Sequence, residues 1–123
     1  MTKDKWQGLQ GFWSSFGIPA YDEDTVPDDA QMPYITYAAV TSTFENPVLL
    51  TASIWYRSTS WKDISKKADA IAETLKGLYL IPIGDKEYIM LTQGTPFAQR
   101  MRDEDGGIRR IYINVMAEYL TRH

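Results

Sequence analysis

Residues 60–93 read SWKDISKKADAIAETLKGLYLIPIGDKEYIMLTQ, and the hydrophobic period changes partway through them. Trp61, Ile64, Ala68, Ile71, Ala72 and Leu75 recur at spacings that place them on one stripe of an amphipathic helix. Lys62, Lys66, Lys67, Asp69 and Glu73 fall mostly off that stripe, so the helix is expected to lie on a core with its charges in water. Ser60 is placed to cap it, with Asp63 in the manner of a capping box, and Gly77 ends it. The pattern then becomes strand-like. LYLIPI (78–83) and KEYIMLTQ (86–93) flank Gly84-Asp85 and read as a short hairpin.

Upstream, PYITYAAVTSTF (33–44) is rich in β-branched and aromatic residues, as is VLLTASIWYRS (48–58). Glu45-Asn46-Pro47 turns the chain between them, so the two strands are expected to form a long antiparallel hairpin. Thr and Ser alternate with apolar residues in the second strand, giving it a face that is wet or meets another subunit. At the N-terminus, Trp6, Leu9, Trp13 and Phe16 mark a first amphipathic helix, widened by Phe12 and stopped by Gly17 and Pro19. Gly8 and Gly11 each weaken this helix by up to about 1 kcal/mol relative to Ala, so it depends on docking its aromatic face. Residues 20–33, AYDEDTVPDDAQMP, read as an acidic, solvated loop without the spacing of a calcium-binding EF-hand.

IRRIYINVMAEYL (108–120) is a long final strand. Ile111, Ile113, Val115, Ala117 and Tyr119 fall on one face, and Arg110, Tyr112, Asn114, Met116 and Glu118 on the other. The expected order is α-β-β-α-β-β-β. Strands in runs with helices between them, and no regular βαβ alternation, give an α+β fold. It is a mainly antiparallel or mixed β-sheet with two helices packed against it, in one domain spanning 1–123.

Composition removes several kinds of chemistry. The chain has no cysteine, which excludes disulfides, thiolate metal sites and cysteine nucleophiles and fits a reducing compartment. Its one histidine is the last residue, His123, so a histidine-dependent triad or a His-rich metal site within one chain is excluded. A formal charge of −3 leaves no polybasic footprint for specific nucleic-acid binding. No signal peptide and no membrane-spanning run is read from the sequence. Neither a nucleophile elbow nor a phosphate-binding glycine loop is present, and no cofactor is expected.

The charged stretch before the last strand needs its own reading. Asp103-Glu104-Asp105 precede Gly106-Gly107, with Arg100, Arg102, Arg109 and Arg110 around them. Glycines suit a turn because they accept positive φ. Arginines keep neighbouring carboxylates ionised, the opposite of what a general acid requires, and they repel a metal ion. The cluster therefore reads as a charged turn, solvated or placed for a partner. Arg100, Arg102, Asp103, Glu104, Asp105, Arg109 and Arg110, with Glu45 and Asn46 at the other hairpin tip, are the candidate interface residues. No catalytic or metal-ligating residue is assigned.

The C-terminal third, GTPFAQRMRDEDGGIRRIYINVMAEYL, resembles small tail-terminator or tail-completion proteins of tailed bacteriophages and prophages. The resemblance rests on Gly94, Pro96, Phe97 and Gln99, the Asp103–Asp105 turn, Ile108–Arg110, Tyr112, Asn114, Glu118 and Tyr119. The upstream order of helix, hairpin, helix and strands is similar too, as is the strand start Pro33-Tyr34-Ile35. Gly106-Gly107 departs from the more acidic turn of such proteins. The resemblance implies a non-enzymatic virion protein that joins head to tail. Such proteins form a homo-oligomeric ring, usually a hexamer, on the head-proximal end of the tail tube after assembly in the host cytoplasm. The implied partners are the tail tube protein and a head connector or neck protein. A cyclic ring needs two different patches per subunit, and the acids of 22–29 are a complement for arginines among Arg100, Arg102, Arg109 and Arg110 of a neighbour. Trp55, Tyr56 and Trp61 are candidate anchors. Three readings stay open beside it: a different neck or head-completion role, a small binding module, and an enzyme working through carboxylates alone.

Overall fold

The structure, a computed structural model, describes residues 5–38 and 47–121. Glu45 and Asn46, and residues 39–44 of the expected strand 33–44, lie outside that range. The elements are α1 (Lys5–Ser14), β1 (Ala20–Asp22), β2 (Tyr34–Tyr37), β3 (Val48–Arg57), α2 (Lys62–Thr74), β4 (Tyr79–Gly84), β5 (Glu87–Met101) and β6 (Ile108–Thr121). They build one mixed sheet in the order β1-β2-β3-β6-β5-β4, with every pair antiparallel except β1 and β2. The α+β class follows from the sequence as read, with one additional strand. No described helix is long and apolar enough to cross a membrane.

Both helices bury their stripes against the same face of the sheet. From α2, Ile64, Ala68 and Ile71, followed by Leu75, join Ile54, Ile111, Ile113 and Val115 in the core. Burying each such side chain fully contributes about 1.5–3 kcal/mol, which is why the stripe specifies where the helix lies. The helix starts at Lys62 rather than on Ser60, whose hydroxyl instead accepts the Lys62 amide at 3.1 Å. Gly77, at φ +81°, terminates it as expected.

The α1 helix closes the fold. Phe12 packs against Tyr79 of β4, with ring centroids 5.3 Å apart, while its neighbour Trp13 stacks on Tyr37 of β2 at 6.4 Å. Those strands stand four places apart in the sheet order, about 19 Å along a flat sheet. The sheet therefore curls around α1, and α2 covers the strands between. Gly8 makes the close approach to β4: a Cβ there would lie 2.9 Å from Ile81 and 3.0 Å from Ile83. The glycine that weakens the helix is thus what lets it dock. Trp6, read as part of the stripe, is 50 % exposed, because the buried face runs through Gly8, Leu9, Phe12 and Trp13.

Residues 20–33 are not wholly a loop. Ala20–Asp22 pair in parallel with Ile35–Tyr37, and the flanking bonds Ile35 N to Pro19 O (2.8 Å) and Glu23 N to Tyr37 O (2.9 Å) extend the ladder. Gln10 of α1 fixes this edge. Its amide donates to the Ala20 carbonyl at 3.0 Å, and its side-chain oxygen accepts the Tyr37 hydroxyl. Burial, and then the charge of Asp22, pushes the Tyr37 pKa up. A three-residue strand has no period of its own, so only its partner reveals it.

A candidate interface on the arm of the β5–β6 hairpin

The β5 strand runs on to Met101, past the Gln93 at which the sequence reading stopped it. Gly94 and Pro96 follow directly, residue types that commonly break a strand. Instead they build a bulge. Gln93 pairs with Val115 and Ala98 with Ile113, so Gly94–Phe97 all stand opposite Asn114. A Cβ on Gly94 would lie 2.8 Å from both the Cβ and the carbonyl oxygen of Asn114. The Asn114 side-chain amide donates to the Pro96 carbonyl at 2.9 Å, and Phe97 turns back onto the core. The residues of the Gly-x-Pro-Phe motif and the distant Asn114 are therefore one structural device.

Beyond the bulge, β5 leaves β4 behind. The β4 ladder ends at Tyr79 opposite Leu91, so Thr92–Met101 pair only with β6 among the described strands. The result is an arm with one open edge, carrying Arg100 at its end.

The acidic tip folds on itself. Asp103 Oδ1 accepts the Asp105 amide at 2.9 Å, and Asp105 Oδ1 accepts the Gly107 amide at 2.8 Å. Asp105 also faces Arg57 at 3.7 Å, but both side chains are more than half exposed, and such pairs contribute about 0–1 kcal/mol. Glu104 is exposed. The Gly106-Gly107 pair forms the turn without positive φ, which among described glycines occurs at Gly17 and Gly77. Space is what Gly106 leaves: a Cβ there would meet nothing within 4 Å. No described group of three or more acids or histidines is arranged to hold a metal.

The arginines divide by role. Arg109 anchors the tip to the β3–α2 connection, donating to Thr59 O at 2.7 Å and Gly106 O at 3.0 Å, while Ser58 N donates to Gly107 O at 2.8 Å. Its Nε is buried without a partner. Arg100 and Arg109 lie over the Trp61 ring at 4.8 and 5.2 Å, a cation–π arrangement. With Arg102 and Asp103 these residues line an open cleft of ≈ 460 Å³. Arg110 points elsewhere. It lies over Trp55 at 4.7 Å on the helix-free face and donates to Ser53 at 3.0 Å. Ser53, read as part of a wet or subunit-facing surface, is buried beneath it. Of the candidate residues described, Arg100, Arg102, Asp103, Glu104, Asp105 and Arg109 come together at the tip, and Arg110 does not. Trp61 was visible in the sequence as the first member of a helical stripe and as a candidate anchor, without its arginine partners. Its place between two arginines is set by strands far away in the chain.

No protein-family model and no curated protein matches this chain. In fold it is similar to a chain from a solved structure described as "Virion of native gene transfer agent (GTA) particle". The likeness covers 87 % of this chain and 83 % of that one, with a TM-score of 0.61 and 16 % sequence identity. At that identity what the two share is the fold: an α+β chain built on a curled sheet.

Proposed function

We propose that this chain is a virion structural protein of the tail-terminator type. On this reading copies of it form a ring on the head-proximal end of a tail tube, stop the tube's growth and present a surface to the head connector. The observation that carries the reading is the fold shared with a virion chain over most of both lengths. The C-terminal motif supports it. Most of the residues that resemble tail terminators build the bulge and the arm, which has an open edge. The role asks for no covalent chemistry. The arm tip, with Arg100, Arg102 and Arg109 beside Trp61, is the proposed subunit or partner surface.

The test is the solution mass by light scattering over a wide concentration range, followed by electron microscopy of the chain mixed with assembled tail tubes. A hexameric ring, or density confined to one end of the tubes, is the expected result. A dimer that never grows and leaves tube ends bare would overturn the reading. Binding to a portal or neck complex but not to tubes would move the chain to a head-completion role.

A further inference from the structure

Two surfaces of this chain carry opposite charge and form no ion pair with each other among the described residues. The first is the cleft at the arm tip. Arg109 is committed to backbone carbonyls there, and Asp103 and Asp105 are turned into their own turn. Arg100 lies over the Trp61 ring at 4.8 Å, and its guanidinium makes no side-chain hydrogen bond among the described residues. Neither Arg100 nor Arg102 forms an ion pair among the described residues. The second surface is the end of β1 and the segment that follows it, which together carry Asp22, Glu23, Asp24, Asp28 and Asp29. None of these acids forms an ion pair among the described residues either, and all but Asp22 are exposed.

The two surfaces lie on different strands of the sheet. β1 is one edge of the sheet, and four strand spacings, about 19 Å along the sheet, separate it from β5. They also differ along the strands: Asp22 lies level with Tyr37 and Ala52, whereas the tip lies beyond Arg57. Each is also next to an unpaired strand edge, one at β1 and one on the arm. Such edges accept extended chain from another molecule.

We propose that the acidic segment Asp22–Asp29 of one copy docks into the cleft formed by Trp61, Arg100 and Arg102 of the next. Carboxylates of the segment meet the guanidinium N–H groups of the two arginines, and the indole of Trp61 backs Arg100. The contact joins unlike patches, so it leaves a free cleft and a free acidic segment at each step and closes only as a ring. This proposal rests on the ring reading above and names its subunit contact.

The absence of cysteine makes the test direct. Two full-length variants, Thr25→Cys and Gly106→Cys, leave every acid and arginine in place. They are mixed and treated with a short bismaleimide. The mixed product is expected to exceed same-variant products by about tenfold, and high salt is expected to suppress it. A second pair reverses the charges: Arg100→Glu with Arg102→Glu in one chain, and Asp24→Lys with Asp28→Lys in the other. Each is expected to fail to assemble alone, and an equimolar mixture to recover the wild-type mass. Rings from wild type and from both charge variants alike would overturn the docking while leaving the ring reading intact. Cross-linking without any ring, on or off tail tubes, would support the docking contact and count against the ring. No cross-link between the two variants under conditions where wild type forms rings would likewise overturn the docking.

Discussion

The two halves of β5 share one partner, β6, and differ in almost everything else. From Glu87 to Leu91 the strand lies between β4 and β6, and Ile89 and Leu91 are fully buried beneath the helices. From Thr95 to Met101 it has β6 on one side alone, and only Phe97 is partly buried. The bulge opposite Asn114 is the boundary. One ladder therefore serves as core at one end and as a projecting arm at the other. Stability and surface function are separated along a single strand, so substitutions in the two halves should fail in different ways.

The strongest test of that separation is Leu91→Ala. It empties a fully buried site and should cost about 2–5 kcal/mol, read as a large shift in the denaturation midpoint. Next comes the boundary. Gly94→Ala puts a methyl group against the backbone of Asn114, and overpacking of that kind costs about 1–3 kcal/mol. Amide exchange should then rise on the arm before it rises at Ile89. Asn114→Ala removes the bond to the Pro96 carbonyl and should cost about 1 kcal/mol, again with exchange concentrated on Thr95–Met101. The smallest effect on folding belongs to the tip. Arg102→Ala, on an exposed side chain, should change stability by less than about 0.5 kcal/mol, yet reduce assembly in light scattering. A large loss of stability from Arg102→Ala, or none from Leu91→Ala, would break the comparison.

Much of the fold was legible because long elements carry their own period. The α2 stripe, the β6 alternation and the hairpin around Gly84-Asp85 all appear in the structure as read. The first β5 residues were legible for the same reason. The second half was not, because Gly94 and Pro96 look locally like an end to the strand, and only Asn114, well downstream, turns them into a bulge. β1 was missed because three residues carry no pattern. The candidate site was partly legible. The charge of the tip was plain, and six of the named residues do meet there. Arg110 was grouped with them by sequence proximity, but alternation along β6 sends it to the opposite face from Arg109.

The sequence by itself determined the α+β class, the two helical stripes, the long strands and the absence of cysteine chemistry. Those follow from local hydrophobic period and composition, which act over a few residues. Tertiary structure alone decided that the sheet curls around α1 and that Gly8 is the point of contact. It also decided that Trp61 meets Arg100 and Arg109, and that the acidic segment and the basic cleft form no ion pair with each other among the described residues. Each of these depends on which distant strands become neighbours, and that is set by burying both helices on one face of one sheet.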